Sequence, residues 1–217
     1  MNSELRLREA LLATARAMSV ARLNAGTAGN ASVRTMDGML ITPSGLAPES
    51  CHAEDIARVA PDGRSFGKLA PSSEWRFHAA LYARRPEAGA VIHAHAPFAT
   101  ALACQRIDIP PFHYMIARFG GDTVRCADYA TFGTQALSDR VLAAIAGRSA
   151  CLLANHGMVV FGRDLDHGLA LAIEFETLCE QYWRTLQLGP PVLLSAAQMA
   201  EAVERFSWYG RPAPNQG

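Results

Sequence analysis

His93-Ala94-His95 closes an apolar run that begins at Ala90. Side chains alternate along an extended strand, so residues two apart share a face. On a strand these two imidazoles stand close enough to chelate one metal ion. The plain alternative is a pair of histidines satisfied by hydrogen bonds in the core or at the surface. His156 adds a third imidazole in Asn155-His156-Gly157, a tight turn between two apolar runs. Turns of this kind favour Gly or Asn, which makes a histidine there conspicuous, although an exposed turn histidine is the simpler reading. Three imidazoles and one open position make up the ligand set of catalytic zinc. Glu74, just inside a predicted helix start, is the acid–base candidate. The helix dipole lowers a carboxyl pKa at that point and burial raises it; an ordinary first-turn glutamate is the alternative. His78 lies four residues further along the same helix face, either partnering Glu74 or packing in the core.

Three short loops have the composition of an anion site. Gly26-Thr27-Ala28-Gly29-Asn30 offers a donor-rich backbone, Ser44-Gly45 a hydroxyl beside a free N–H, and Ser72-Ser73 two hydroxyls at a helix start. None contains a lysine or arginine, which points to a phosphate held by neutral donors. Tyr114, after His113, and Tyr209, in Phe206-Ser207-Trp208-Tyr209, are each either a proton donor or an interface aromatic. Of the 20 Lys+Arg residues only Lys68 is a lysine. It stands in the turn-rich stretch from Pro61, so iminium chemistry has a single, poorly placed candidate.

These residues need elements to position them. Apolar spacing predicts an amphipathic helix over 4–23, followed by strands 31–34 and 39–42 joined through an Asp37-Gly38 hairpin turn. A second hairpin surrounds Pro61-Asp62-Gly63. Pro71-Ser72-Ser73-Glu74 predicts a helix start with a serine N-cap and the acid in the first turn, running to about Arg85. A buried strand over 90–95 precedes a helix opened by Pro97. Further strands are expected at 123–126, 150–153 and 158–161. Helices are expected at 138–146 and from about 165 to 188, where Gly189-Pro190-Pro191 stops the last one. The tail from about 211 is expected to be mobile. Strand hairpins mixed with helices, without regular βαβ alternation, indicate one layered domain over 1–217 around a mainly antiparallel sheet.

The 217 residues carry 20 Lys+Arg and 20 Asp+Glu, and half are hydrophobic. A core is affordable and disorder excluded. Balanced charge gives no general attraction to nucleic acid, and no run approaches the roughly 18 apolar residues that span a bilayer. The mixed charges Glu4, Arg6, Arg8 and Glu9 argue against a secretory signal. Five scattered cysteines without a CxxC pair suit a reduced, cytoplasmic protein.

Taken in order, Gly26–Asn30, Ile41-Thr42-Pro43-Ser44-Gly45, Pro71-Ser72-Ser73-Glu74-Trp75-Arg76-Phe77-His78, His93-Ala94-His95, His113–Ala117, Tyr129–Gly133 and Asn155-His156-Gly157 resemble the motifs of the class II aldolase/adducin family over nearly the whole chain. The resemblance implies a three-layer α/β/α fold and a cyclic homotetramer with sites near subunit interfaces. It implies that His93, His95 and His156 ligate Zn2+ or another divalent metal, joined by Glu74 when substrate is absent. Gly29, Asn30, Ser44, Gly45, Ser72 and Ser73 would hold a substrate phosphate. Tyr114 would reach a neighbouring subunit's site as proton donor, and Tyr209 would help to close it. The implied reaction cleaves a ketose 1-phosphate, L-fuculose 1-phosphate or a close analogue, to dihydroxyacetone phosphate and a short aldehyde through an enediolate. Other substrates within the family are 5-deoxyribulose and methylthioribulose 1-phosphates; other reactions are sugar-phosphate 4-epimerisation and decarboxylation. A non-catalytic adducin-like module is the remote alternative, disfavoured because all three histidines and Glu74 are present. Two positions depart from the aldolase pattern: Ser44 stands where threonine is frequent, and Asn155 where a further histidine precedes the third ligand.

Overall fold

The computed structural model describes residues 3–209; the tail expected to be mobile from about 211 lies outside them. The strands are β1 Asn30–Thr35, β2 Gly38–Ile41, β3 Ala57–Val59, β4 Ser65–Phe66, β5 Ala90–Ala94, β6 Cys126–Ala127, β7 Ala150–Leu153 and β8 Gly157–Gly162. They form one sheet in the order β4-β3-β2-β1-β5-β8-β7-β6. Every neighbouring pair is antiparallel except β6 with β7. The helices are α1 Ser3–Val20, α2 Trp75–Arg84, α3 Pro97–Cys104, α4 Gln135–Ala144, α5 Leu165–Leu186 and α6 Ala196–Trp208.

Strand alternation divides the apolar residues between the two faces. Ala31, Val33, Leu40, Ile92, Leu152 and Val160 join one core with α1, α3 and α5. Met39, Ile41, Val91, Leu153, Val159 and Phe161 join a second core with α2 and α4. The result is the expected mixed sheet between two helical layers. No helix among the described residues is long and apolar enough to cross a membrane.

Both predicted hairpins form. The first has Met36-Asp37 at its tip and Gly38 already inside β2, where a Cβ would meet the Val59 carbonyl oxygen at 2.1 Å. Several boundaries differ from the sequence expectation. Helix α4 starts three residues early because Thr134 caps it, accepting from the Leu137 N–H. The strand expected at 123–126 shrinks to Cys126–Ala127, with Val124 in an isolated bridge to Ile109. Helix α6 was not anticipated, although Ser195 and Gln198 close a capping box at its start.

Phe175 of α5 is fully buried and meets Phe119 edge-on at 5.1 Å between ring centroids. Its core lies on the sheet face away from α2. Phe175→Ala should therefore lower the unfolding free energy by about 3–5 kcal/mol in denaturant titrations, with metal uptake per folded molecule unchanged. A loss below about 1 kcal/mol would contradict its place at the centre of that core.

Candidate metal centre and active site

His93 sits on the α2 face of β5, paired in register with Asn30 of β1 and Val159 of β8. Its Nδ1 lies 2.9 Å from the Met158 carbonyl oxygen, an anchor that turns Nε2 toward His95 and Glu74. The strand expected through His95 ends at Ala94, because Ala96-Pro97 turns the chain into α3. His95 nevertheless keeps the alternation, held by its own N–H donating to Asn24 Oδ1 at 2.9 Å. In the third motif the left-handed backbone falls on Asn155 (φ 54°) and not on His156. Asparagine tolerates that conformation, and its Oδ1 accepts from Arg106 Nε at 2.7 Å. Gly157 follows because a Cβ there would lie 2.3 Å from the Ala94 carbonyl oxygen and 3.1 Å from His95 Cδ2. That close approach delivers His156 to the other two rings.

One ligand atom from each of His93, His95 and His156 falls within 4.8 Å of the others. Their ring centroids are 4.8–5.0 Å apart and their planes cross at 72–75°. His93 Nε2 and His95 Nε2 are 3.1 Å apart, against the separation of about 3.3 Å between two nitrogens ligating a tetrahedral zinc. Glu74 Oε2 lies 3.0 Å from His93 Nε2, and Oε1 3.3 Å from His156 Nε2. Oε1 is buried without a hydrogen-bond partner. An unsatisfied carboxylate oxygen facing three imidazoles fits a cation held among them.

The charge states suit that reading. Burial, reinforced by repulsion from His93, pushes His95 and His156 down to about 4, with Glu74 opposing, so both are neutral, metal-binding imidazoles near pH 7. Burial alone would push the Glu74 carboxyl up. Attraction and a hydrogen bond from His93, attraction from His156 and a hydrogen bond from Asn30 outweigh it and hold Glu74 at about 2. Glu74 is the residue before α2, not part of its first turn: Ser72 Oγ takes the Glu74 N–H at 3.3 Å, and the carboxylate caps nothing. It is thereby free to face the imidazoles.

A cavity of about 360 Å³ opens onto His95, His156 and Glu74. Gly29, Asn30, Ser44, Gly45, Ser72 and Ser73 line it too, so the structure gathers the three predicted anion loops around one space. None of these lining residues is a lysine or arginine; Lys68 is exposed beyond β4. Gly29 adopts φ +70°, and a Cβ there would overlap the Asn24 amide at 2.3 Å. The Asn30 side chain is committed to neighbouring side chains: Nδ2 donates to Glu74 Oε2 at 3.0 Å, and Oδ1 lies 2.6 Å from His78 Nε2. Tyr129, Ala130 and Phe132 form a more apolar wall. The Gly133 carbonyl ties their loop to α2 by accepting from Arg76 Nη1 at 3.0 Å.

Tyr114 and Tyr209 are not at this cavity. Both are exposed and line a separate space of about 550 Å³ between the 3-10 turn Tyr114–Phe119 and α6, where Phe206 stacks on Tyr114. Sequence reasoning missed Asn24, Ser32 and Tyr82, which hold the site residues from behind, and Arg106, which holds Asn155 from outside. Strand parity was a usable signal for Ser32, which shares a face of β1 with Asn30.

The family model for the class II aldolase and adducin N-terminal domain matches residues 9–183. A 5-methylthioribulose-1-phosphate/5-deoxyribulose-1-phosphate aldolase of Rhodospirillum rubrum is 51% identical over 208 residues, covering 96% of this chain and 94% of that protein. An L-fuculose phosphate aldolase of Escherichia coli K12 is 47% identical over 190 residues, covering 87% and 88%. A solved structure of an L-fuculose 1-phosphate aldolase superposes with a TM-score of 0.90 at 36% identity, covering 95% of this chain and 98% of that one. With this coverage, and with the imidazole cluster built as the geometry requires, the chain belongs to the class II aldolase and adducin family, on its aldehyde-lyase side.

Proposed function

We propose that the chain is a single-domain, zinc-dependent aldolase that cleaves a ketose 1-phosphate to dihydroxyacetone phosphate and a short aldehyde. One observation carries this: two imidazoles of the three-histidine cluster and the Glu74 carboxylate open onto a cavity lined by three loops of neutral anion donors, with His93 buried directly behind them. His93, His95 and His156 would hold the ion, with Glu74 as a fourth ligand in the absence of substrate. The negative charge that develops on the ketose carbonyl oxygen as the C3–C4 bond breaks is the charge a bound zinc ion stabilises. Ser44, Ser72 and Ser73 hydroxyls, with backbone N–H groups around Gly29, Asn30 and Gly45, would grip the phosphate without a full positive charge.

Two proton movements complete the cleavage. The C4 hydroxyl proton must leave as the aldehyde forms, and Tyr114 of a neighbouring subunit would take it, returning it in the synthetic direction. C3 must gain a proton to give dihydroxyacetone phosphate; the Glu74 carboxylate would relay one from water to that carbon, and would take it back in the synthetic direction. The exposed Tyr114 and Tyr209, packed around the half-buried Phe206, support a cyclic homotetramer in which each chain completes its neighbour's site, with Tyr209 closing it. The five cysteines are free thiols, in keeping with a reduced, cytoplasmic protein.

L-Fuculose 1-phosphate and the 5-deoxy- and 5-methylthioribulose 1-phosphates all end in an apolar group, which suits the Tyr129–Phe132 wall. The Rhodospirillum relative, 51% identical over 96% of the chain, favours the pentulose phosphates as a second reading. The test incubates zinc-loaded protein with fuculose, rhamnulose, ribulose, deoxyribulose and methylthioribulose 1-phosphates and follows dihydroxyacetone phosphate through a coupled dehydrogenase. One of the apolar-ended sugars should far exceed ribulose 1-phosphate, and His156→Ala should lose both zinc and turnover while keeping its circular dichroism spectrum. Silence on all five sugars with zinc bound would redirect the assignment to epimerisation or decarboxylation.

Buried His78 and half-buried His95 and His156 also set a pH dependence for the metal-free protein. Unfolded, each binds a proton near pH 6.5; folded, His95 and His156 do so only near 4 and His78 near 3. The unfolded chain therefore binds more protons as the pH falls, and stability should drop from about pH 6.5 down to 4. Thermal melts in chelator should show this decline; a midpoint constant across that window would contradict neutral, buried imidazoles.

A further inference from the structure

Behind the cavity wall, between β1 and α2, lie polar side chains that the reaction above does not use. His78 and Ser32 are fully buried, and Tyr82 nearly so. His78 Nδ1 is 2.7 Å from Ser32 Oγ, which is 2.8 Å from the Tyr82 hydroxyl. His78 Nε2 is 2.6 Å from Asn30 Oδ1, and Asn30 Nδ2 is 3.0 Å from Glu74 Oε2.

The chemistry of each group determines which way the chain runs. A carboxylate only accepts, so Asn30 must present its NH2 to Glu74 and its carbonyl oxygen to His78. His78 Nε2 must then carry the hydrogen. A neutral imidazole has one N–H, which leaves Nδ1 as an acceptor for the Ser32 hydroxyl. With that hydrogen committed, Ser32 Oγ accepts from Tyr82. Every donor points toward Glu74. The opposite His78 tautomer would turn Asn30 over and set its carbonyl oxygen against the Glu74 carboxylate, two acceptors in contact inside a buried site.

We propose that Tyr82, Ser32 and His78 are positioning residues, a one-way hydrogen-bond relay that locks the Asn30 amide and, through it, the Glu74 carboxylate facing the three imidazoles. The relay deepens the proposed function and rests on Glu74 being its acid–base. Cross-strand register explains why relay and imidazoles coincide: Asn30 pairs with His93 and Ser32 with Val91, so both strands present these groups to α2. The outer end is fixed by Arg34, whose guanidinium stacks over the Tyr82 ring at 4.8 Å and donates to the Tyr82 carbonyl oxygen at 2.9 Å. Packing alone would be served by apolar residues; burying four hydrogen-bonding side chains is tolerable only because each link is paired.

The test uses zinc-loaded holoenzyme with 15N-labelled histidine. Two-bond 1H–15N correlation spectra should show His78 as a neutral ring protonated at Nε2. Ser32→Ala should let both tautomers appear and slow hydrogen exchange at the dihydroxyacetone phosphate carbon about 10- to 100-fold, in kcat and not in KM. Tyr82→Phe should do the same more weakly, and Ser32→Thr, which keeps the hydroxyl, should restore the wild-type tautomer and rate. A wild-type His78 protonated at Nδ1 overturns the relay. Glu74→Gln separates the two readings in the same exchange assay. Exchange lost in Glu74→Gln but intact in Ser32→Ala overturns the relay alone. Exchange intact in both overturns the acid–base role on which the relay depends.

Discussion

Strand β5 is hydrogen-bonded on both sides, to β1 through Asn30↔His93 and to β8 through His93↔Val159, and the three-histidine cluster is assembled around those two ladders. A one-residue slip in either pairing would send His93 to the opposite face of the sheet. The same ladders bring the β8 turn carrying His156 against the end of β5, and Gly157 permits the contact because a side chain there would strike the Ala94 carbonyl. Asn24 then clamps the chain after His93 by accepting the His95 N–H. His156 thus converges on the neighbouring His93 and His95 from a distant part of the sequence without any one loop having to find the site alone. Rigid strands are well suited to this, since they hold ligand atoms more tightly than free loops do.

Burial gives these groups their chemical character. His95 and His156, shielded from water, stay neutral and keep a lone pair for a cation, while a buried carboxylate is tolerated only with compensating partners. Glu74 has His93, His156 and Asn30 on its two oxygens, yet Oε1 still lacks a donor. The neutral anion loops around the same cavity complement that arrangement. A lysine or arginine among them would compete with a metal cation for Glu74 and for a substrate phosphate alike.

Much of the fold was legible because alternation and punctuation are local signals. The His93–His95 spacing, the Asp37-Gly38 and Asp62-Gly63 hairpins and the Gly189-Pro190-Pro191 stop each act within a few residues. The layered, mainly antiparallel sheet followed from them. The errors arose where a neighbour in space decides. Glu74 was expected inside the first turn of α2, but its carboxylate turns to His93 and His156, and helical geometry begins only at Trp75. The turn constraint ascribed to His156 belongs to Asn155, which Arg106 holds from outside. Helix α6 was overlooked beyond the double proline despite its Ser195–Gln198 capping signal. Ser32, Tyr82 and Asn24 carry no motif of their own: strand register places Ser32 behind the site, and only tertiary hydrogen bonds bring Tyr82 and Asn24 to it.

The central claim is that His93, His95 and His156 hold one metal ion with a carboxylate beside it. X-ray absorption at the zinc edge on purified, zinc-replete protein tests that most directly. Three imidazole nitrogens and one or two oxygens at about 2.0–2.2 Å is the predicted coordination, with one zinc per chain. Sulfur scattering, an all-oxygen shell, or zinc far below one per chain would contradict it.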